Sequence, residues 1–295
     1  MNLFTVDFQS CSLHKLTTVN VLCPGDAGKG VELPSLMLLH GMTDDQTGWM
    51  RRSLAENYAE KLGICLIIPN ADLSFYTDMA YGGDYLTFLA EELPEFLGNY
   101  FPLAGQKNST YVAGNSMGGY GAFLMAMRYP QKYRAAFSLS GPMKIAWINR
   151  ILSDRELVNL SVRGGKERCR EMVRRIVNEE HIPELLINSL LECGDMVRIF
   201  RGMFGSDPLA LEGSNVDLTE LIKSKKFAEN PVDLYAYCGK QDYHYESNLL
   251  FEKIAGDMGI RYLLRTEDGG HEWDYWNRQL PDIFEHIKNY CQKDN

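Results

Sequence analysis

The amino-acid sequence predicts an α/β fold with a mostly parallel central sheet, helices on both faces and an inserted helical cap. Three observations carry this prediction. Segments with strand-like and helix-like patterns alternate along most of the 295 residues. The middle strands are short and almost purely apolar, as strands buried on both faces are. The alternation is interrupted once, at residues 142–230, where the pattern is helical and irregular.

The predicted elements follow one another in a regular order. Strands are expected at residues 3–8, 17–23, 34–40, 64–69, 110–114, 135–140, 232–238 and 261–265. Helices are expected at residues 49–62, 84–100, 117–129, 245–258 and 274–290. Pro94 falls inside the second of these helices, and we expect a kink there because proline cannot donate a backbone hydrogen bond.

We interpret residues 1–295 as a single domain, because this length is compatible with one large core. Residues 142–230 are then an insertion within that domain. A helical cap of this kind either shapes the substrate pocket or is a structural addition far from the site. The sequence favours neither interpretation.

The composition is that of a globular enzyme, with 45% hydrophobic and 23% charged residues. A net charge of −9 argues against a nucleic-acid partner or an anionic membrane surface. The first residues lack a basic stretch followed by an apolar one, and apolar runs stay below the ~18 residues of a membrane span. We therefore expect a cytoplasmic protein with no membrane partner, and assembly into a homo-oligomer stays open.

Seven cysteines are scattered along the chain without a C-x-x-C pair. Their number is odd, and their spacing fits neither a zinc site nor a disulfide framework. No nucleotide-binding motif is present either. We expect buried free thiols, no metal and no cofactor.

Residues 114–118, Gly-Asn-Ser-Met-Gly, form the one G-x-S-x-G motif of the chain. A strand-like run precedes the motif and a helix-like run follows it, which is where a serine hydrolase places its nucleophile. The sharp strand-to-helix turn holds the hydroxyl clear of the backbone. Glycines at 114 and 118 remove side chains that would collide with the turn. The motif predicts that Ser116 is a nucleophile.

A serine hydroxyl needs a base within hydrogen-bond reach, and the base needs a carboxylate to orient it. Behind this motif the partners follow in the order serine, acid, histidine, each after a core strand. Of the six histidines, His244 and His271 follow late strands. His271 is the better candidate because it lies in a glycine-rich turn directly after the last strand. We expect His244 at the surface or in the pocket.

The orienting acid is expected on the loop after strand 232–238, which reads Gly-Lys-Gln-Asp-Tyr. Asp242 is the one carboxylate in that loop, whereas Glu246 and Asp268 are weaker alternatives. A metal site is not supported, because Asp242 and His244 would supply two ligands at most.

The negative charge that develops on an attacked carbonyl needs two fixed backbone N–H donors. Met117, the residue after Ser116, is expected to supply one of them. The second comes from the loop after an early strand, which opens His40-Gly41-Met42. We expect the Met42 N–H to be that donor and His40 to hold the loop.

Together these motifs resemble the esterase D-like family of α/β-hydrolases, which includes tributyrin, acetyl and feruloyl esterases and S-formylglutathione hydrolases. The resemblance rests on LLHGM at 38–42, FYTD at 75–78, GNSMGGYGA at 114–122, the loop at 239–242 and GGHEWDYW at 269–276. It covers the core, whereas the insertion carries no motif of the family. The resemblance implies an α/β-hydrolase fold and a catalytic triad of Ser116, His271 and Asp242. It also implies oxyanion donors at Met42 and Met117.

By the same resemblance we expect a serine carboxylesterase of short-chain acyl esters, including acyl groups on carbohydrates. Trp49, Tyr76 and Trp273 are candidates to line the pocket, because a sugar or an aryl group would stack on their faces. Ordinary packing is the competing interpretation. An S-formylglutathione-type thioesterase or a feruloyl esterase stays open as an alternative. So does a non-catalytic binding protein on the same fold.

Overall fold

One sheet of eight strands forms the centre of the fold. The computed structural model describes residues 1–25, 30–153, 175, 177–178, 181–191, 196–205, 207 and 211–293. The strands are β1 (Asn2–Ser10), β2 (Lys15–Cys23), β3 (Ser35–Leu39), β4 (Cys65–Pro69), β5 (Thr110–Asn115), β6 (Ala135–Leu139), β7 (Asp233–Gly239) and β8 (Tyr262–Glu267). Their order in the sheet is β1-β2-β4-β3-β5-β6-β7-β8. β2 pairs antiparallel with β1 and with β4, and all other neighbours pair parallel, so the predicted mostly parallel sheet is confirmed.

Helices follow most of the strands, at positions close to those predicted. They are α1 (Gly48–Arg52), α2 (Ala55–Leu62), α3 (Tyr85–Thr87), α4 (Leu93–Gly98), α5 (Met117–Arg128), α6 (Ile145–Ser153), α7 (Glu184–Leu191), α8 (Met196–Phe204), α9 (Leu218–Leu221), α10 (Lys225–Glu229), α11 (Tyr245–Asp257) and α12 (Trp273–Lys293). The alternation of strands and helices places helices on both faces of the sheet.

The two faces of the sheet bury different residues of the same strands, because successive side chains in a strand alternate. In β3, Leu36 and Leu38 join the core under α2 and α12. Met37 and Leu39 join the core under α5 and α11. Every residue of β3 is buried, which explains why its sequence is apolar throughout instead of alternating.

The single helix predicted at 49–62 is in fact two helices, α1 and α2. Ser53, between them, has an extended backbone. Its hydroxyl donates to the Trp49 oxygen across 2.6 Å and accepts the Ala55 N–H across 3.2 Å. The serine side chain thus replaces backbone hydrogen bonds at the break and lets a second helix begin.

The helix predicted at 84–100 is helical from residue 85 to residue 98 but contains a π-helical turn, Phe88–Glu92, between α3 and α4. Pro94 lies in the first turn of α4, directly after the π-helical turn. Proline has no N–H to donate to the preceding turn, and a wider turn is one way to accommodate this. The kink expected at Pro94 stays a prediction, whereas the π-helical turn before it is what the structure shows.

The described part of residues 142–230 contains α6 to α10, their connections, and the helical residues 175, 177 and 178. α6 packs against α7 and α8, whereas α9 and α10 pack against α5 of the core. The N–H groups of Ala80 and Tyr81 donate to the carbonyl oxygens of Met203 and Gly202, which ties α8 to the loop before α3. The role of this segment as a cap stays a prediction.

Candidate active site

Ser116 stands between β5 and α5, at the turn that the sequence predicts. Its φ of 54° and ψ of −119° form a combination that residues other than glycine rarely adopt. The Ser116 N–H donates to the Leu139 oxygen across 2.7 Å, and the Ser116 oxygen accepts the Gly119 N–H across 2.9 Å. These bonds hold the strained turn in place. Ser116 remains partly exposed at the end of the strand.

Gly114 and Gly118 allow the backbone to pack closely around this turn. A Cβ atom at Gly114 would collide with the main-chain oxygen of Gly118, and one at Gly118 would collide with the main-chain oxygen of Leu39. Both glycines are therefore required by the close approach of neighbouring backbone, as the motif predicts.

Side chains from two loops meet Ser116 at the turn. Nε2 of His271 lies 2.8 Å from Oγ of Ser116, and Nδ1 of His271 lies 2.9 Å from Oδ2 of Asp242. Asp242 follows β7 and His271 follows β8, so both reach the site from the carboxyl ends of neighbouring parallel strands. The structure thus brings together the three residues that the sequence predicts, with neither Glu246 nor Asp268 in the position of the acid.

Asp242 is 1% exposed, and its two oxygens have different partners. Oδ2 faces His271, whereas Oδ1 accepts the backbone N–H of His244 across 2.8 Å. Burial alone would raise the pKa of this carboxyl. Electrostatic attraction to His271 and these hydrogen bonds outweigh burial and hold the pKa of Asp242 below its ordinary value. Asp242 is therefore ionised, and its Oδ2 accepts the hydrogen bond that Nδ1–H of His271 donates.

The two residues expected to donate to the oxyanion are Met117, directly after Ser116, and Met42, directly after Gly41. Met117 is the first residue of α5, so its N–H has no partner inside the helix. Gly41 lies against the turn, since a Cβ atom there would be 3.6 Å from Cβ of Ser116. Met42 follows in a turn that is closed by a hydrogen bond from the Asp44 N–H to the Gly41 oxygen. This loop, residues 40–44, is called the oxyanion loop below.

His40 is buried at the start of the oxyanion loop. Its Nε2 accepts the Ala71 N–H across 2.9 Å, so the proton is on Nδ1, which donates to the Gly41 oxygen across 2.8 Å. Burial lowers the pKa of His40 and keeps its ring neutral. The residue holds the loop by two hydrogen bonds.

Trp49 and Tyr76 do not line a pocket, in contrast to the expectation from sequence, because their exposures are 1% and 0%. The Trp49 indole N–H donates to the Leu39 oxygen across 2.9 Å. The Tyr76 hydroxyl donates to the His40 oxygen across 2.7 Å. Buried Trp and Tyr side chains generally pair their polar tips in this way. Here the tips anchor the end of β3 and the start of the oxyanion loop.

Trp273 is the one of the three aromatic candidates that stays partly exposed. Its ring packs edge-on against Trp49 and Trp276, with centroid distances of 5.1 Å and 5.3 Å. Trp276 is buried, donates to Oγ of Ser140 across 3.0 Å and contacts the His271 ring at 5.1 Å. Trp273 remains a candidate for the pocket wall, whereas Trp276 packs against the ring of His271.

Two residues directly after Asp242 contact the site in ways that the sequence does not reveal. The Tyr243 ring lies 4.3 Å from the ring of His271. His244 is buried, at 5% exposure, and burial lowers its pKa to about 3. The His244 ring is therefore neutral and does not compete with His271 for the charge of Asp242. In the sequence, the signal for these contacts is that Tyr243 and His244 directly follow Asp242, the predicted acid.

A cleft of about 490 Å³ lies beside the acid loop, residues 240–244, and the first two residues of α11, Tyr245 and Glu246. Residues between 177 and 185 of the insertion form its other wall. The lining includes the ring of Tyr243 and, from the insertion, His181 and Glu184. This part of the insertion therefore adjoins the loop that carries the acid.

The described residues contain no group of three or more His, Cys, Asp or Glu side chains placed to hold a metal ion. In the same part of the chain, no helix has both the length and the apolar character that a membrane crossing requires.

Comparison with known sequences gives matches over the whole core. The Esterase family model matches residues 10–287. The acetyl esterase of Caldicellulosiruptor saccharolyticus is 25% identical over 295 residues, which cover 97% of this chain and 97% of that protein. An S-formylglutathione hydrolase of Paracoccus denitrificans is 29% identical over 156 residues, which cover 44% of this chain and 54% of that protein.

Solved structures share the same architecture. FphF, a fluorophosphonate-binding serine hydrolase of Staphylococcus aureus, has a TM-score of 0.77 and 25% identity, with 97% of this chain and 98% of that chain covered. The S-formylglutathione hydrolase FrmB of Staphylococcus aureus has a TM-score of 0.70 and 23% identity over 97% of this chain and 98% of that chain. The fold is therefore the α/β-hydrolase fold, as the motifs predict.

Proposed function

This chain belongs to the Esterase family, and we propose that it hydrolyses short-chain acyl esters through Ser116, His271 and Asp242. The family and the serine hydrolases similar to it identify the enzyme as a serine carboxylic ester hydrolase. One observation carries the assignment of residues: an unbroken path of hydrogen bonds runs from Oδ2 of Asp242 through the His271 ring to Oγ of Ser116, with steps of 2.9 Å and 2.8 Å. A non-catalytic binding protein would not require this path.

In the proposed reaction, Oγ of Ser116 attacks the ester carbonyl carbon while Nε2 of His271 takes the hydroxyl proton. The ring then carries a positive charge, which the ionised and buried Asp242 stabilises at Nδ1. The carbonyl oxygen becomes an oxyanion and accepts hydrogen bonds from the N–H groups of Met42 and Met117. These donors act most strongly in the transition state, where the charge is largest.

His271 next gives its proton to the leaving alcohol, which departs and leaves the acyl group on Ser116. Water then attacks the acyl carbon, and Nε2 of His271 takes a proton from that water. Collapse of the second tetrahedral intermediate returns the proton to Ser116 and releases the carboxylic acid. The enzyme is regenerated without any other group.

Two observations support a short acyl group on a carbohydrate as the substrate. The acetyl esterase that is similar to this chain matches it over 97% of its length. The cleft beside the acid loop combines the Tyr243 ring with the polar side chains of His181 and Glu184, a combination that suits an alcohol rich in hydroxyl groups. We propose on this basis that residues 142–230 act as a cap that shapes the alcohol side of the site.

Hydrolysis of p-nitrophenyl acetate, butyrate and octanoate by wild type and Ser116→Ala tests the proposal. We expect preference for acetate or butyrate, and a loss of kcat of at least about a thousandfold in the variant. Ser109→Ala, in the 3₁₀ turn directly before β5, is the matched control and should retain activity. Equal activity in Ser116→Ala and wild type would remove Ser116 from the mechanism.

A thioesterase of the S-formylglutathione type is the second candidate, favoured by the match to an S-formylglutathione hydrolase over 44% of this chain. Its chemistry would use the same three residues. Rates on S-formylglutathione, on acetyl thioesters and on acetylated sugars distinguish the two candidates. A kcat/KM for S-formylglutathione at least about a hundredfold above that for oxygen esters would replace the first proposal with the second.

A further inference from the structure

Cys23 and Cys65 face each other across the antiparallel strands β2 and β4. Leu22 of β2 pairs with Leu66 of β4. Because the two strands are antiparallel, Cys23, which follows Leu22, stands opposite Cys65, which precedes Leu66. The two sulfur atoms lie 3.2 Å apart, and the S–H of Cys65 donates to the sulfur of Cys23. Opposed residues in such a pair have Cα atoms about 4.5–5.5 Å apart, which is within the range that a disulfide spans.

The two thiols differ in their exposure to solvent and in their pKa. Cys23 is 7% exposed and Cys65 is 0% exposed. The hydrogen bond from Cys65 lowers the pKa of Cys23, whereas this contact and burial raise the pKa of Cys65. Cys23 therefore ionises first, and it is also the thiol that a small oxidant reaches first.

We propose that Cys23 and Cys65 are an oxidisable dithiol, which hydrogen peroxide converts into a disulfide that joins β2 to β4. The Cys23 thiolate attacks one peroxide oxygen, forms a sulfenic acid and releases hydroxide. The Cys65 sulfur then attacks the Cys23 sulfur and displaces its hydroxyl group, and the Cys65 proton leaves with that group as water. The two thiols lose two electrons and two protons, and one peroxide becomes two waters.

This cross-link lies at the end of the sheet away from the nucleophile. Cys65 is the first residue of β4, and Cys23 is the last residue of β2, which runs in the opposite direction. Ser116, Asp242 and His271 all follow the carboxyl ends of parallel strands. The disulfide should therefore change stability and leave ester hydrolysis unchanged, and the inference is independent of the proposed function.

The disulfide would connect residues separated by 42 positions in the chain. A cross-link of this span restricts the unfolded chain, and we expect the apparent melting temperature to rise by about 5–10 °C. The wild-type chain is treated with a small excess of hydrogen peroxide, digested without reduction and examined by mass spectrometry. We expect the peptides containing Cys23 and Cys65 to be joined, with the cross-link and the temperature shift reversed by dithiothreitol.

Two variants sharpen the experiment. Cys65→Ala should show neither the cross-linked peptides nor the shift, whereas Cys11→Ala, which removes an exposed thiol, should show both. Peptide mapping of wild type does not depend on how well a variant folds. The inference is overturned if peroxide produces a sulfinic acid at Cys23 without cross-linking. Oxidation of Cys11 that leaves Cys23 and Cys65 as free thiols would also overturn it.

Discussion

The hydroxyl of Tyr76 donates a hydrogen bond across 2.7 Å to the main-chain oxygen of His40, at the base of the oxyanion loop. The tyrosine ring occupies the space that a side chain at Gly121 would need, because a Cβ atom there would collide with it. Tyr76 therefore connects α5, which begins directly after Ser116, with the loop that carries Met42. We infer that it positions this loop, whose Met42 N–H we propose as an oxyanion donor.

Tyr76→Phe removes this hydrogen bond and keeps the ring. We expect kcat to fall about tenfold and KM to change less than about twofold, because the displaced donor acts mainly in the transition state. The unpaired His40 oxygen should lower the free energy of unfolding by about 1–2 kcal/mol. Steady-state kinetics and urea unfolding measure both effects. Tyr58→Phe is the control, because the Tyr58 ring stacks on Phe284. An unchanged kcat in Tyr76→Phe would show that this hydrogen bond does not position the oxyanion loop.

Asp242→Asn tests the carboxylate of the proposed triad. The amide preserves the shape but no longer favours the proton on Nδ1 of His271, so kcat should fall by about 10⁴. Asp268→Asn, which changes the exposed alternative carboxylate, should keep activity within about threefold of wild type. Similar kcat values for the two variants would mean that Asp242 is not the orienting acid.

Histidines that burial keeps neutral make the folded state sensitive to acid. Burial lowers the pKa of His244 to about 3 and also lowers the pKa of His40 and of His286. In the unfolded chain such rings bind a proton near pH 6.5. Below this pH the unfolded state therefore binds more protons than the folded state. The stabilising contribution of these neutral rings is complete above about pH 6.5, and it is lost as the pH drops toward 3. Urea midpoints measured between pH 7 and pH 4 should decrease steadily.

His244→Gln identifies the largest contributor to this acid sensitivity, because glutamine does not titrate. Its urea midpoint should fall less steeply with decreasing pH than that of wild type. His14→Gln makes the same substitution at an exposed histidine and is the matched control. Parallel slopes for wild type and His244→Gln would show that His244 is not the source.

Gly118→Ala tests the close approach of backbone at the turn that carries Ser116. The new Cβ atom would collide with the Leu39 oxygen, so we expect a loss of more than about 3 kcal/mol of stability, or no folded protein. Gly256→Ala is the matched control in α11, where a Cβ atom meets open space, and it should stabilise by about 0.5–1 kcal/mol. Thermal unfolding compares the two, and a well-folded Gly118→Ala protein would contradict the packing described.

The turn at Ser116 and the residues around it could be predicted because each carries a local pattern. A glycine-flanked serine between strand-like and helix-like runs indicates the turn on its own. Asp242 is the one carboxylate of its loop, and His271 lies in a glycine-rich turn after the last strand. The order serine, acid, histidine along the chain then predicts the role of each residue, and no interatomic distance is needed for this prediction.

The roles of Trp49 and Tyr76 could not be predicted in the same way. A sequence shows that a side chain is aromatic, but not where its polar tip points. The turn that places Tyr76 also has positive φ values at Phe75 and Tyr76, of 49° and 59°, without a glycine to indicate it. The contact of Cys23 with Cys65 is likewise invisible, because it depends on the register between β2 and β4.

The most direct test of the central claim is to map where a fluorophosphonate probe reacts. The probe is attacked by an activated serine, and mass spectrometry of the digested protein locates the adduct. We predict one adduct, on Ser116, formed in parallel with the loss of esterase activity and absent from Ser116→Ala. An adduct on another residue, or equal labelling of Ser116→Ala, would contradict the assignment of Ser116 as the nucleophile.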